Sequence, residues 1–137
     1  MPSQQFIELV KGKNFNFELI KETADNFQVS LTSALLKYRH LGDFPIAIIF
    51  CDRGKITWTA FSDDFVLNFI RVGSDVPMNS VANDFYTGDK LPDEPELVDP
   101  KEWFSEDYHL EKYLDTDFYE QCIRIGNQGV LSCIWNN

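Results

Sequence analysis

At 137 residues, 44% of them hydrophobic and 15% aromatic, the chain can bury one main core with a helical appendage but not two large domains. A net charge of −10 argues against general affinity for nucleic acid or anionic membrane, whose surfaces are bound through phosphate neutralisation by Lys and Arg. The longest apolar run, Pro45 to Cys51, falls far short of the roughly 20 residues of a spanning helix, and no charged-then-apolar signal peptide opens the sequence, so a cytoplasmic protein is expected.

The first 42 residues read as helical. Pro2 suits a first turn, and Phe6, Leu9 and Val10 follow at helical spacing before Gly12 and Asn14 break the pattern. A second helix is expected from Asn16 as N-cap, with Phe17, Leu19, Ile20, Ala24 and Phe27 as its apolar stripe. After a break at Gln28-Val29, Ser30 can cap a third, which buries Leu31, Ala34, Leu35, Tyr38 and Leu41 and closes at Gly42. This segment carries Lys11, Lys13, Lys21, Lys37 and Arg39 against Glu8, Glu18, Glu22 and Asp25, a balance of +1 that leaves −11 for the remainder. Any nucleic-acid contact must therefore lie here.

From Pro45 the period becomes strand-like. Pro45 to Cys51 is apolar on both alternating sets of positions, which predicts a strand covered on both faces; Asp52 to Lys55 is a turn, and Ile56 to Phe61 its hairpin partner. Phe65 to Val72 fits helix or strand, Gly73 to Pro77 a loop, and Asn79 to Tyr86 a short helix with Ser80 near its start. Residues 84–120 hold thirteen acids against Lys90, Lys101 and Lys112, with three prolines, and read as an exposed, loop-rich excursion. A second hairpin closes the chain: Phe118 to Ile125, the turn Gly126 to Gly129, then Val130 to Trp135, in the same sheet as the Pro45 strand. The expected class is α+β, a helical segment (1–42) packed on an antiparallel sheet with a few helices (43–137). Cys51, Cys122 and Cys133, odd in number and set among apolar strand residues, read as reduced core thiols.

The stretch from Glu22 to Leu41, through Ala24, Phe27, Val29, Ser30, Ala34 and Leu41, resembles the segment that follows the protease domain in ImmA/IrrE-type zinc metallopeptidases. Gly54-Lys55-Ile56-Thr57-Trp58 is similar to that family's next turn and strand. Ser80-Val81-Ala82, Trp103-Phe104 and Gly129 to Trp135 look like its later landmarks, and Met1-Pro2 like the end of its catalytic helices. The resemblance implies a helix-turn-helix-like segment followed by a GAF/PAS-like sensor domain, so that the chain begins where the catalytic domain would end, as a natural truncation or a cut piece.

That family's chemistry needs a His-Glu-x-x-His helix, in which two His one turn apart hold Zn²⁺ and the Glu polarises the bound water. Only His40 and His109 occur, and neither begins such a motif, so no catalytic residue, metal ligand or cofactor is assigned. The carboxylates at Asp84, Asp89, Asp93, Glu94, Glu96 and Asp99 lack a calcium-loop pattern, and the cysteines lack a local base. Trp58, Phe61, Phe69, Tyr86, Trp103 and Trp135 are candidates for lining a small-molecule pocket, with core filling as the simpler role for aromatics in so short a chain. Thr32, Ser33, Lys37 and Arg39 on the third helix are candidates for DNA contact, against which stand the few cations and the Gln28 turn, where positive φ normally selects Gly. The expected role is regulatory: a region that binds a small-molecule effector or a protein partner, and so controls an attached or separate peptidase in transcriptional or stress responses. The alternative is a DNA-binding or dimerising transcription accessory acting through residues 14–42.

Overall fold

A computed structural model describes residues 3–13 and 15–136 and shows an α+β protein. Three helices come first: α1 (Ser3–Val10), α2 (Phe17–Phe27) and α3 (Leu31–Leu41). Asn16 caps α2 by accepting the Leu19 N–H at 2.8 Å, and Ser30 caps α3 by accepting that of Ser33 at 3.1 Å. Gln28 joins the two at φ 55°, ψ 44°, the left-handed conformation anticipated for the turn, and the backbone N–H groups of Gln28 and Val29 close the last turn of α2. The expectations for Pro2 and Met1 and the break at Asn14 lie outside the described residues.

The sheet contains β1 (Ala47–Asp52), β2 (Lys55–Phe61), β3 (Glu96–Val98), β4 (Phe118–Ile125) and β5 (Gly129–Asn136), all antiparallel in the order β2-β1-β5-β4-β3. The β1–β2 turn is a two-residue loop in which Arg53 and Gly54 both have positive φ, the handedness that matches strand twist. β1 is an interior strand between β2 and β5. Ile48 faces a core shared with α1–α3, and Ile49 faces a second core on the opposite side, so the expectation of a strand covered on both faces holds.

Two segments differ from their sequence expectation. Residues 65–72 form neither helix nor strand; Phe65, Leu67 and Ile70 sink into the second core while the chain stays irregular, its backbone donors at Asn68 and Phe69 taken by Asp107 rather than by a ladder. The acid-rich stretch is more than an exposed excursion. It contributes edge strand β3, helix α5 (Pro100–Phe104) and a 3₁₀ turn (Leu110–Tyr113), and it buries Val98, Trp103 and Phe104 with Phe118. With helix α4 (Val81–Thr87, capped by Ser80), these elements cover the sheet face that α1–α3 leave open. No helix of the described residues is long and apolar enough to cross a membrane.

Candidate functional site

The six candidate aromatics do not converge on one cavity. Opposite Cys51 and Phe50 the register slips so that Thr57 has no cross-strand partner, and this bulge turns Ile56 and Trp58 to opposite faces. Trp58 stacks on Phe50 on the helical side, where Trp135 also packs, between Phe15 and Tyr119. Phe61, Tyr86 and Trp103 belong to the other core, and Phe69 is half exposed. The sheet separates the two groups, which corrects the reading of a common pocket. Trp103 and Trp135 are core, while Trp58, Phe61 and Tyr86 are partly buried; Tyr86 also donates its hydroxyl to the Gln128 carbonyl at 2.9 Å, tying α4 to the β4–β5 turn.

The four candidate DNA-contacting residues all lie on α3. Ser33 is exposed, though its hydroxyl accepts from Ser30, while Thr32, Lys37 and Arg39 are half-buried. Arg39 Nη2 lies 2.7 Å from His40 Nε2. Helix, turn and helix are present; a broad cationic face is not.

Buried charge sits elsewhere. Glu120, fully buried on β4 with no cation paired to it among the described residues, accepts the Val81 N–H at 2.8 Å, the Ala82 N–H at 3.1 Å, the Ser132 hydroxyl at 2.7 Å and the Cys122 thiol at 3.3 Å. Every one of these bonds is internal, so the group works as a strut between α4 and the sheet. Burial pushes the Cys122 thiol well above its ordinary range, Glu120's charge adding to the effect, and burial raises Cys51 to about 12. Thiols held in protonated form are poor nucleophiles. Among the described residues no group of three or more His, Cys, Asp and Glu is placed to hold a metal ion.

Asp107 makes a second strut. Its Oδ2 accepts the N–H groups of Asn68 and Phe69, both at 2.8 Å, and its Oδ1 accepts that of His109 at 2.8 Å. Arg71 pairs with Glu106, and Glu102 Oε1 accepts the Asn79 N–H at 3.0 Å. Residues 68–79 and 102–109 are thus stitched into one surface. Four large apolar side chains stand out from it: Phe69 (47% exposed), Val72 (54%), Met78 (81%) and Tyr108 (93%). The same two segments wall a cleft of about 190 Å³, lined by Ile70, Arg71, Asp75, Glu102, Trp103 and Glu106 among others. Segment 73–76 closes its floor by pairing with the start of β2: Gly73 N–H reaches Ile56 O at 2.7 Å, and Ile56 N–H reaches Ser74 O at 2.9 Å.

Sequence reasoning named Trp103 and Phe69 only as candidates for a small-molecule pocket and missed Arg71, Met78, Glu102, Asp107 and Tyr108, whose segments are joined by bonds spanning 23 to 39 residues. Glu120 did leave a signal: it falls between Phe118 and Cys122 at the strand's two-residue period, which places a charge on an inward face. The sequence matches no protein-family model, and comparison with the curated proteins found no match.

Proposed function

We propose that this chain is a non-catalytic regulatory module that works by docking a protein partner, and that it corresponds to the C-terminal region of an ImmA/IrrE-type metallopeptidase, acting in the cytoplasm on an attached or separate peptidase. The observation that carries the docking reading is the set Phe69, Val72, Met78 and Tyr108 on one stitched surface. Large exposed apolar patches rimmed by polar residues mark interaction sites, and aromatic and Met side chains are enriched in the centres of interfaces. A partner is favoured over an enclosed metabolite because the aromatics are divided by the sheet and do not line one cavity. The family part of the proposal is supported by Ala24, Phe27, Val29, Ser30 and Ala34 and by the helical segment that precedes a GAF/PAS-like antiparallel sheet.

The test is a photo-crosslinking residue placed at Met78 and at Tyr108, with Glu8 on the exposed side of α1 as control. A docking module gives one specific protein product from both positions, and a peptidase with a His-Glu-x-x-His helix is the expected product. A pattern identical to that from Glu8 overturns the docking reading; a specific but unrelated product overturns the family reading alone. A second reading, DNA contact through α3, is favoured by the capped α2–Gln28–α3 geometry. With five basic groups in residues 1–42, binding should disappear near physiological salt, and sequence-selective binding that survives there would favour it.

A further inference from the structure

We propose that two copies of this chain pair through the outer edge of β2, antiparallel about a two-fold axis at Ala60, so that their sheets join into one. The inference is independent of the docking surface and stands without it. The two ends of the sheet are finished differently. At one end β3 is three residues long, carries Glu96 and lies between Pro95 and Pro100; the stretch of β4 beyond it, from Gln121 to Arg124, shares its groove with Phe17, Lys21 and Pro92. Short length, charge and proline are the usual means of keeping an edge from pairing. At the other end β2 has none of these after Lys55. Beyond its bulge at Thr57 the strand is regular, and from Ile56 to Ser62 it contains no charge, proline or glycine and is rich in the Thr and aromatic residues that favour strands.

The free part of this edge has definite limits. The Ser62 N–H donates to Ile46 O at 3.0 Å, and from there the antiparallel alternation turns Ala60 and Trp58 towards Ile48 and Phe50 of β1, leaving the N–H and C=O groups of Thr59 and Phe61 pointing outward. Among the described residues neither makes a backbone bond outside the sheet. Residues 73–75 cover the edge only beside Lys55 and Ile56, and segment 65–72 gives its donors at Asn68 and Phe69 to Asp107 instead. A two-fold at Ala60 uses what remains. Each copy's Thr59 then exchanges both backbone bonds with the other's Phe61, Ala60 meets Ala60 at the close, unbonded position, and Trp58 meets Ser62. The incoming strand turns away at Asp63, before it would reach residues 73–75. Charge favours a second copy over another occupant. At a net −10, two copies approach with least repulsion along a run free of carboxylates, and a charged partner strand finds no complement there. The pairing is isologous and the opposite end of the sheet is blunted, so assembly closes at the dimer instead of continuing as a filament.

The full chain is followed by sedimentation equilibrium and amide NMR over a concentration series reaching about 1 mM. A strand pair of this length buries well under the ~1,600 Å² of a standard interface, so a dissociation constant on the order of 0.1 mM is expected. The Thr59 and Phe61 amides should shift and gain protection from exchange as the dimer forms, and those of Trp58 and Ala60 should change less. Thr59→Pro, at an outward N–H where proline breaks no ladder bond, should weaken association about tenfold or more, and Thr59→Lys, which sets a charge on each side of the axis, should do the same without constraining the backbone. Ala60→Cys should give a disulfide-linked dimer when an oxidant is added, since facing unbonded positions hold their Cα atoms about 4.5 Å apart, whereas Thr57→Cys, displaced from the axis, should not. A chain that stays monomeric throughout the series overturns the proposal, as does a dimer that survives both Thr59 substitutions. A dimer that Ala60→Cys fails to link overturns the two-fold at Ala60. A monomer whose Thr59 and Phe61 amides respond only to an added extended Thr-Val peptide overturns self-pairing and gives the edge to a partner strand.

Discussion

Ser132 donates its hydroxyl to Glu120 Oε2 at 2.7 Å between neighbouring strands β5 and β4, and the same oxygen accepts the Ala82 N–H that opens α4. The other oxygen, Oε1, accepts the Val81 N–H, so both ends of the carboxylate face backbone donors. Glu120→Gln cannot satisfy this geometry. Whichever way the amide is turned, its NH₂ points at the N–H of Val81 or of Ala82, leaving buried donors opposed. The expected cost is about 3 kcal/mol, against about 1 kcal/mol for Ser132→Ala, which removes a single bond. Denaturant unfolding of the two variants checks the order; equal midpoints would show that the strut is not what holds α4.

Gly42 ends α3 by donating its N–H to the Tyr38 carbonyl at 2.7 Å, and its φ of −79° is open to any residue. Its necessity is steric. A Cβ at this position would lie 2.5 Å from Tyr38 Cζ, and that ring is fully buried and packed edge-on against Phe15 at 5.3 Å. Gly42→Ala should therefore destabilise by about 2 kcal/mol, as overpacking a filled core does, and lower the thermal midpoint by several degrees. An unchanged midpoint would mean that the ring has room to yield.

At Gln28 the strain is in the backbone instead, since φ 55° costs an L residue roughly 1 kcal/mol that Gly avoids. Gln28→Gly should stabilise modestly, by about 0.5 kcal/mol after Gly's greater freedom in the unfolded chain is deducted. A loss of stability would indicate that the exposed Gln side chain makes a contribution larger than the strain.

The helical third was legible almost residue by residue because its signals are local: Asn16 and Ser30 as caps, Gly42 as a stop, and an apolar stripe at helical spacing. The two hairpins were legible for the same reason, each bounded by its turn. What could not be read was assembly. The bulge at Thr57 reverses which face Ile56 occupies, and no local rule announces it, so aromatics that seemed able to share a pocket end on both sides of the sheet. The irregular segment 65–72 is held by Asp107, thirty-eight and thirty-nine residues further on, which no period in the sequence could reveal. The candidate docking surface failed for the complementary reason: Met78 and Tyr108 are exposed only because nothing folds over them, and exposure is a property of the finished packing.

Stability at high pH should fall because of the buried thiols. Burial pushes Cys51 from its ordinary value of 9.0 up to about 12, and burial followed by Glu120's charge raises Cys133 as well; burial likewise raises Tyr38 from 10.0 to about 12. A group whose pKa is higher folded than unfolded contributes stability that is fully present below the unfolded value and is lost above it, as the unfolded chain releases its proton first. These groups therefore add nothing to the pH dependence below about 8. Above its unfolded value, about 9 for the thiols and about 10 for Tyr38, each should remove about 1.4 kcal/mol per pH unit until it ionises in the fold. Denaturant unfolding in reductant from pH 7 to 11 should be flat at first and then decline, and Cys133→Ala should decline less steeply by one proton. Identical slopes would show that Cys133 ionises freely in the fold.

The interior position of β1 makes the sharpest mutational prediction. Ile48 and Ile49 are adjacent, both fully buried, and point to opposite faces: Ile48 into the core beneath α1–α3, Ile49 into the core beneath α4, α5 and residues 65–70. Both also pair on two sides, Ile48 with Ala60 and Cys133, Ile49 with Thr59 and Ser132, so neither can rotate out at an edge. A lysine at either position must bury its ammonium without a partner or force the covering layer open. Ile48→Lys and Ile49→Lys should each cost several kcal/mol, enough to unfold a domain of ordinary stability. The two variants should fail differently. Opening the helical side should free α1–α3 to exchange amide hydrogens quickly while β4 and α4 stay protected, and opening the other side should do the reverse, releasing α4, α5 and the Glu120 strut first. If one of the two substitutions left both stability and exchange unchanged, the layer assigned to that face would not be packed against the sheet.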